Sequence, residues 1–286
     1  MVDDNPTAGG VSPIPCTVGV LTFNSEATLE RALSSVQDFD ELLICDGGSS
    51  DRTREIAAAF GCRVIDQDPK FKDSNNRMID ISGCRQQMLS AAANPWVMML
   101  DSDEYVPEDL VEEIRSVLAT DDGTVGAYHV PRKYVIDDEV VECSICYPRA
   151  PLRMVRPSAG VKYHGLAHAF LWVPPGVPVE TLSCAQHVPF PGLRDHWRRR
   201  LSYLRMEEIQ AADLDLKAWF HEILTPSLKT IRLYGQRYYR LRLDCPGPRL
   251  PLRHELGFVA YQVLRPWYTG RRFLGLGRSD VETAWR

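Results

Sequence analysis

Apolar residues along the first 120 positions occur in two alternating patterns. Short continuous runs predict strands, and segments whose apolar residues recur every three or four positions predict helices. The predicted strands are 16–23, 41–45, 63–66 and 96–100. The predicted helices are 26–36, which Ser25 could cap, a second helix that Ser49 or Ser50 caps and that ends at 60, and the segments 78–93 and 108–118. Because strand–helix–strand units join parallel strands by right-handed crossovers, this order predicts an α/β fold with a parallel sheet.

The pattern changes twice after this alternation. From 125 to 190 the strands become short and are separated by turn residues such as Asp137 and Asp138, which predicts an antiparallel β extension. From 192 onward the chain has a helical pattern, interrupted near 246–248. We therefore expect a disordered tail at 1–13, a main domain over 14–190 that divides into 14–120 and 121–190, and a C-terminal helical arm over 191–286.

Charge is distributed unevenly along the 286 residues, of which 44% are hydrophobic and 25% charged, as in soluble globular proteins. The net charge is −5, yet residues 229–278 carry eleven Lys and Arg against only Asp244 and Glu255. That segment is therefore +9, which leaves −14 for the rest of the chain. This asymmetry indicates an anionic partner for the C-terminal arm.

Eight cysteines are scattered along the chain, and several of them, such as Cys16 and Cys45, lie in apolar runs as small buried side chains do. Residues 1–15 are polar and do not resemble a signal peptide, so reduced thiols in the cytoplasm are expected. Cys143 and Cys146 have CxxC spacing, but no second pair accompanies them, which disfavours a zinc or redox site. No apolar stretch approaches the roughly 18 residues of a membrane span.

A cluster of acidic residues follows the fourth predicted strand. Residues 96–100 are apolar, and Asp101, Asp103 and Glu104 come directly after them. Open α/β sheets bind ligands at the carboxyl ends of their strands, and residues two apart on an extended backbone point the same way. Two carboxylates side by side suit Mg²⁺ or Mn²⁺, which commonly share a site with phosphates. A solvated acidic turn is the alternative.

Polar residues also follow the first two predicted strands. Thr22, Asn24 and Glu26 lie at the end of the first strand. Asp46, followed by two glycines, lies at the end of the second, where it can accept hydrogen bonds from a base or ribose while the glycines permit close backbone approach. Helix capping and tight turns explain the same residues equally well.

Four segments are together more specific than any one of them alone. They are Val18–Glu26, Asp46–Asp51, Gly83–Gln86 and Leu100–Glu104. In this order and spacing they resemble the family 2 glycosyltransferases of the GT-A fold, most of all bacterial enzymes that build lipopolysaccharide cores and other surface glycans. The resemblance implies a Rossmann-like mixed sheet flanked by helices, with 14–120 as the nucleotide-sugar half and 121–190 as the acceptor half.

The resemblance also implies a donor site with a divalent cation, Mg²⁺ or Mn²⁺, at the strand ends. His187 is expected to be a third metal ligand, although a structural role at a strand end explains it equally well. Arg77 and Arg85 carry charges that suit a diphosphate, and a solvated surface position is the alternative for each of them. The implied residues are Thr22, Asn24 and Glu26 beside the nucleotide, Asp46 at the base, Arg85 near the diphosphate, Asp101 at the donor and the metal, and Asp103 at the metal. Arg77 is expected near the diphosphate from its charge alone.

The catalytic base is the least specific part of the resemblance. Related enzymes often carry a His-Glu pair in the β region, whereas here His168 is followed by Ala169, so the usual acid is missing. We expect His168 or Glu104 to accept the proton of the acceptor hydroxyl. His164 and Glu180 are alternatives, and a lone histidine is commonly structural.

The C-terminal arm interleaves cations with aromatic and apolar residues. The stretches 198–201, 229–240 and 256–267 have the composition of helices at a membrane surface. A peripheral position on the inner face of the cell membrane would bring the enzyme to a lipid-linked acceptor, and a packing or dimerisation helix is the alternative. Nucleic acid is not expected as a partner, because the main body is acidic and no recognition module is evident.

The sequence therefore predicts an inverting, metal-dependent glycosyltransferase that moves a sugar from a nucleoside-diphosphate sugar to a hydroxyl of a glycan or lipid-linked acceptor in cell-surface polysaccharide synthesis. One alternative is a haloacid-dehalogenase-type phosphatase, which also has Asp-x-Asp after an apolar strand. Tyr105 stands where that class expects Thr or Val, and the motif follows the fourth strand rather than the first. A non-catalytic glycan- or membrane-binding relative is the second alternative, because Ala169 replaces the usual acid.

Overall fold

The computed structural model describes residues 12–72, 78–165 and 170–276 and divides the chain into two compact units. The predicted tail lies outside the described residues as far as residue 11. Unit 1 comprises Met1–Val130, Leu152–His164 and Phe170–Gln186, and unit 2 comprises Pro131–Pro151, Gly165–Ala169 and His187–Arg286.

Strands and helices alternate in the first part of the chain, and short strands followed by long helices make up the rest. The strands are β1 (Ile14–Thr22), β2 (Phe39–Asp46), β3 (Arg63–Asp66), β4 (Trp96–Asp101), β5 (Ala127–His129), β6 (Arg132–Ile136), β7 (Glu139–Val140), β8 (Leu152–Val155), β9 (Lys162–His164), β10 (Phe170–Trp172), β11 (Val179–Thr181) and β12 (Gln186–Pro189). The helices are α1 (Leu29–Ser34), α2 (Thr53–Ala59), α3 (Ile81–Ala91), α4 (Glu108–Ala119), α5 (Leu193–Gln210), α6 (Leu216–Trp219), α7 (Thr225–Asp244) and α8 (Leu252–Gly270).

Unit 1 is built on a seven-stranded mixed sheet in the order β11-β5-β8-β4-β1-β2-β3. The strands β4, β1, β2 and β3 run parallel, which confirms the parallel part of the prediction. The strand β8 lies antiparallel between β4 and β5. The fold class is therefore the predicted one, an α/β mixed sheet flanked by helices and extended by antiparallel strands.

The two central strands of this sheet are covered on both faces. On one face, Val18 of β1 and Met98 of β4 belong to the same buried cluster as Leu33 of α1 and Ile114 of α4. On the other face, Met99 of β4 packs in a cluster with residues of α3. Strands buried on both faces are apolar throughout, which explains the continuous apolar run at 96–100.

Unit 2 joins the short sheet β12-β6-β7 to the helices α5 to α8. The helix α8 packs against α5 and α7. One buried cluster brings residues of the β segment together with residues around α8: Val141, Ile145, Cys146, Leu250 and Phe258. Residues 131–151 therefore belong to the same compact unit as the C-terminal helices. Among the helices of the described ranges, none is long and apolar enough to cross a membrane.

Cys143 and Cys245 form a disulfide within unit 2, and their Cα atoms lie 6.4 Å apart. The prediction that all eight cysteines are reduced is wrong for this pair. No local pattern indicates this pair, because 102 residues separate the two cysteines and Cys146 is much nearer to Cys143 in the chain. Cys146 is free and buried.

Candidate functional site

Three strand ends carry predicted site residues to one edge of the sheet in unit 1. Thr22 of β1 pairs in register with Asp46 of β2, and Leu21 of β1 pairs with Asp101 of β4. These strands are parallel, so their carboxyl ends meet at this edge, which is where open α/β sheets bind ligands. The structure thus brings Thr22, Asp46 and Asp101 together, as the sequence pattern predicts.

Asp46 is fully buried, and its carboxylate is surrounded by donors. Thr22 Oγ1 donates to Oδ1 at 2.9 Å, and Arg54 Nε donates to Oδ2 at 2.8 Å. The backbone N–H groups of Gly48 and Ser49 donate to Oδ2 at 3.1 and 2.9 Å. Burial by itself would raise the pKa of Asp46, but these hydrogen bonds, those of Ser49 foremost, outweigh it and lower the pKa to about 2. The ionised carboxylate therefore shapes the loop after β2.

The loop after β1 is tied to the loop after β2. The backbone N–H of Ser50 donates to Asn24 Oδ1 at 2.9 Å, and that of Arg52 donates to Glu26 Oε2 at 3.1 Å. Asn24 has a φ of 49°, a left-handed conformation that asparagine tolerates better than most residues. The exposed side chains of Asn24 and Glu26 thus hold the two loops in a fixed relation.

The same loop contacts explain why the predicted helix caps at 25 and 49–50 are wrong. The helix α1 begins at Leu29, and the Ser25 hydroxyl lies 3.1 Å from the hydroxyl of Ser102, at the end of another strand. The helix α2 begins at Thr53, and the Ser49 hydroxyl donates to the buried carboxylate at the end of β2. These serines bridge segments that are distant in sequence, which a local pattern does not reveal.

The strand β4 ends at Asp101, and the chain turns at once. The backbone N–H of Glu104 donates to the carbonyl oxygen of Asp101 at 2.9 Å, so Asp103 lies inside a tight turn. The expectation that Asp101 and Asp103 project side by side from an extended strand is wrong, because the extended backbone stops before Asp103. One carboxylate belongs to the strand end and the other to the turn.

Two arginines hold the Asp101 carboxylate from different elements. Arg85 of α3 donates from Nη2 to Oδ1 at 3.0 Å, and Arg153 of β8 donates from Nη2 to Oδ2 at 2.9 Å. Burial disfavours a charged guanidinium at Arg153, yet the negative charge of Asp101 holds its pKa above the ordinary value. Arg153 is not among the residues that the sequence pattern predicts for this site. Its signal was a single arginine within the apolar strand 152–155, a position where an unpaired charge is costly.

Glu104, the last residue of the turn, completes this charge network. Its side chain is 1% exposed, and its Oε1 lies 3.7 Å from Nη2 of Arg153. The side-chain amide of Gln186 donates to its Oε2, and the backbone N–H of Asp101 approaches the same oxygen at 3.5 Å. Glu104 therefore supports Arg153 and the turn, in a buried position.

Tyr163 of β9 forms a wall beside the arginines. Its backbone N–H donates to Oε1 of Gln86 in α3 at 3.1 Å, and the guanidinium of Arg85 lies 5.8 Å from the centre of its ring. Burial raises the pKa of Tyr163, partly offset by the charges of Arg85 and Arg153. The antiparallel extension thus reaches the strand ends through Arg153 and Tyr163. The spacing of residues in the sequence does not predict this contact.

Other predicted site residues lie elsewhere. Arg77 and His168 lie outside the described residues. His187 belongs to β12 and to unit 2. The alternative bases His164 and Glu180 are exposed on β9 and β11 of unit 1.

Asp101 and Asp103 are the two carboxylates that the sequence pattern assigns to a divalent cation. In the described ranges, no group of three or more His, Cys, Asp or Glu side chains is arranged to hold a metal ion. The Asp101 side chain is 34% exposed, and an ionised carboxylate accepts about four contacts, so an ion can approach it beside the arginines. Two hard oxygen donors fit Mg²⁺ or Mn²⁺, which take their remaining ligands from water and phosphate.

Comparisons with known proteins agree on one family. Residues 17–158 match the model of glycosyl transferase family 2. A lipopolysaccharide core biosynthesis glycosyltransferase of Rhizobium meliloti is 25% identical over 150 residues, which are 52% of this chain and 54% of that protein. An uncharacterized glycosyltransferase of Rickettsia typhi is 30% identical over 102 residues, which are 35% of this chain and 32% of that protein. The chain spans about half or less of the length of these relatives.

Solved structures are similar over part of the chain. Glucosyl-3-phosphoglycerate synthase of Mycobacterium tuberculosis, solved with Mn²⁺ and uridine-diphosphate-glucose, is 26% identical and has a TM-score of 0.33. The similarity covers 42% of this chain and 43% of that one.

Proposed function

The chain belongs to glycosyl transferase family 2 through its residues 17–158, and from this membership we propose that it is an inverting glycosyltransferase. Its donor is a nucleoside-diphosphate sugar, and its acceptor is a hydroxyl of a glycan or lipid-linked glycan in cell-surface polysaccharide synthesis. The observation that carries the proposal is the meeting of Thr22, Asp46 and Asp101 at the carboxyl ends of three parallel strands. A nucleoside diphosphate needs a loop shaped for the nucleoside and charged groups for the diphosphate, both at the same edge of the sheet.

The nucleotide lies along the paired loops in this proposal. Asn24 and Glu26 border it, while the buried Asp46 acts through the loop that it holds rather than by touching the base. Phe23 offers the base an aromatic face, because its side chain is 57% exposed at the loop. A Cβ atom on Gly47 would lie 3.1 Å from the Phe23 ring, so the glycine lets the ring rest against the second loop.

The diphosphate lies at the acidic turn. Asp101 and Asp103 would hold Mg²⁺ or Mn²⁺, and the bound ion would supply positive charge beside the leaving diphosphate. Arg153 is a positioning residue, since its guanidinium holds the Asp101 carboxylate and is itself held by Glu104. Arg77 would add charge near the diphosphate. His187 as a third metal ligand stays a prediction.

The proton acceptor in this proposal is His168. The acceptor hydroxyl loses its proton as its oxygen attacks C1 of the sugar from the face opposite the diphosphate, which inverts the configuration. Glu104, the other predicted base, has a buried carboxylate engaged with Gln186 and Arg153, so we assign it to positioning. His168→Ala should abolish transfer while donor binding is unchanged. If the variant transfers sugar at the wild-type rate, the base lies elsewhere.

We also propose that the C-terminal helices contact an anionic membrane on its cytoplasmic side. Along α7, Leu228, Arg232, Tyr239 and Leu243 fall within one sector of the helix, and all four are exposed. Cations beside exposed apolar side chains suit a surface of anionic lipids. Flotation with phosphatidylglycerol vesicles should carry the protein, and Leu228→Ser with Leu243→Ser should reduce it. If the wild-type protein does not float at low salt, the proposed membrane contact is wrong.

Donor binding is the simplest test of the proposed function. Uridine-, guanosine- and cytidine-nucleotide sugars are screened by thermal shift with Mn²⁺, since a ligand that binds the folded state raises its melting temperature. We expect one nucleotide class to stabilise the protein and Asp103→Ala to lose the Mn²⁺-dependent part. No stabilisation by any of them, together with hydrolysis of a phosphate monoester, would favour the phosphatase alternative. Binding without turnover under any acceptor would favour the non-catalytic relative.

A further inference from the structure

Unit 2 contains a pocket of about 440 Å³ that no part of the proposed donor site uses. This volume lies within the range of small-ligand pockets, about 300 to 1,000 Å³. Its walls come from the start of β6, the segment between β7 and β8, and the second half of α7. The lining residues are Pro131, Arg132, Lys133, Glu142, Ser144, Tyr147, Pro148, Arg149, Arg237, Arg240 and Leu241.

Cations dominate the charge of this pocket. Five of the lining side chains are Arg or Lys, and Glu142 is the one carboxylate among them. That carboxylate is engaged by Lys133, whose Nζ lies 2.6 Å from its Oε2. Within the described residues, Arg149, Arg237 and Arg240 have no carboxylate partner. An anion in the pocket would supply the counter-charge that these cations lack.

The arginines are held by groups that leave their charge uncompensated. Arg237 donates from Nη1 to the carbonyl oxygen of Ile145 at 3.1 Å, and Arg149 donates to the hydroxyl of Tyr134 at 3.5 Å. Arg237 and Arg240 are three residues apart on α7 and so lie on the same side of the helix. Both contacts orient a guanidinium. Because both acceptors are neutral, neither contact supplies a negative charge to offset the guanidinium.

The wall that contains Ser144 is fixed by buried hydrogen bonds. The Ser144 hydroxyl donates to Oε2 of Glu255 at 3.2 Å, and the backbone N–H of Ile145 donates to Oε1 of the same carboxylate at 3.1 Å. The disulfide between Cys143 and Cys245 joins this wall to the residue that follows α7. The pocket therefore has walls that are tied together before any ligand arrives.

We propose that this pocket binds a phosphate-bearing anion, either a single phosphoryl group or a diphosphate. Guanidinium groups match phosphate oxygens with paired hydrogen bonds, and the lining includes three arginines that have no carboxylate partner among the described residues. Two sources share this chemistry, a soluble phosphorylated ligand and the head group of an anionic lipid. The inference does not depend on the proposed glycosyltransferase activity, because none of its residues belongs to the donor site.

Calorimetric titration with inorganic pyrophosphate in low salt, without divalent cation, tests the site. The wild type should bind, and Arg237→Gln with Arg240→Gln should weaken binding by about tenfold or more, because charge-assisted hydrogen bonds are lost. Arg242→Gln, on the same helix but outside the pocket, removes one positive charge and should change the Kd by less than about twofold. Arg237→Lys with Arg240→Lys should lie between the wild type and the glutamine variant.

Arg149→Gln changes a lining residue outside α7 and serves if the α7 variant does not fold. It should also weaken pyrophosphate binding, and its melting temperature without ligand should change little, since the Arg149 side chain is exposed and its hydrogen bond to Tyr134 is long. No binding by the wild type, or equal binding by wild type, Arg149→Gln and the α7 variant, would overturn the proposal.

Vesicle flotation then identifies the source of the phosphate. Vesicles of phosphatidylglycerol in phosphatidylcholine are compared for the wild type, the α7 pocket variant and Arg242→Gln. If the pocket variant loses pyrophosphate but floats like the wild type, the pocket serves a soluble phosphorylated ligand. If the pocket variant loses both while Arg242→Gln keeps both, the pocket serves a lipid head group. Either pattern requires the anion site that we propose.

Discussion

Arg153 donates a hydrogen bond of 2.9 Å to the carboxylate of Asp101, although 52 residues separate them in the chain. The arginine lies on a strand antiparallel to the one that ends in Asp101, and only 8% of its side chain is exposed. Because Glu104 lies 3.7 Å from the same guanidinium nitrogen, one buried cation serves two carboxylates. The acidic turn is therefore part of a charge network and not a solvated loop.

Removal of Arg153 should destabilise unit 1 strongly. Arg153→Met leaves Asp101 and Glu104 without their shared cation, and breaking a buried ion pair costs about 3 to 5 kcal/mol. Urea unfolding at pH 7 measures the loss. The matched control is Arg63→Met, whose side chain is 45% exposed beside Glu41 and should cost about 1 kcal/mol or less.

A double-mutant cycle separates this ion pair from simple packing. If Arg153 acts through Asp101, then Asp101→Asn should cost less in the Arg153→Met background than in the wild type, with a coupling of about 1 to 3 kcal/mol. Equal costs in both backgrounds would mean that Arg153 matters only for its volume.

The ionised carboxylate of Asp46 should stabilise the protein at pH values above its unfolded-state pKa, and this stabilisation should be lost in acid. Asp46→Asn removes a carboxylate that accepts hydrogen bonds from Thr22, Ser49 and Arg54, at a cost of about 2 kcal/mol at pH 7. The folded-state pKa is lowered from 3.8 to about 2, so the stability difference between wild type and variant should be constant above pH 5 and shrink as the pH falls from 4 towards 2. Unfolding by urea at several pH values measures it, and a difference that grows in acid would contradict the assignment.

Glu255 should show the opposite pH dependence. Burial raises its pKa from 4.5 to about 7, despite hydrogen bonds from Ile145 and Ser144. Its contribution to stability is therefore complete below pH 4.5 and is lost as the pH rises through 7. Glu255→Gln should make the protein more stable than the wild type at pH 8.5, by about 2 kcal/mol, and flatten the fall in melting temperature between pH 5 and 8.5. Glu222→Gln, an exposed control, should leave that fall unchanged.

Phe23 should contribute to nucleotide binding without supporting the fold. Base stacking on an aromatic side chain is worth about 1 to 3 kcal/mol, so Phe23→Ala should weaken nucleotide binding about tenfold or more, with little change in melting temperature. Phe170→Ala is the matched control, because Phe170 is also in unit 1 and equally exposed. Calorimetry with the nucleoside diphosphate that stabilises the protein gives the comparison. If both variants lose the same nucleotide affinity, or neither loses any, Phe23 does not contact the nucleotide.

The parallel half of the fold was predictable because its signals are local. The apolar run 96–100 and the alternation around it place Asp46 and Asp101 at strand ends, and parallel pairing brings those ends together. What escaped prediction depends on pairing between distant segments. Arg153 meets Asp101 only because β8 inserts antiparallel beside β4, and Cys143 meets Cys245 across 102 residues.

Local sequence patterns also gave wrong predictions where long-range contacts replace local ones. Ser25 and Ser49 have the composition of helix caps, yet their hydroxyl groups bond to other strand ends. The turn at Asp103 departs from the extended geometry because Glu104 closes it through backbone and side-chain contacts. The sequence placed the acidic residues correctly but could not give their orientation.

Nucleotide release from the donor sugar is the most direct test of the central claim, that Asp101 and Asp103 serve a metal-dependent glycosyl transfer. Asp103 is the residue to change, because Asp101 also holds Arg85 and Arg153. With Mn²⁺ and the nucleotide sugar that binds, the wild type should release nucleoside diphosphate, and Asp103→Ala should be slower by about 100-fold or more. The control Asp109→Ala, an exposed acid on α4, should match the wild type. An Asp103→Ala variant with the wild-type rate, or a rate that does not depend on the metal, would contradict the account.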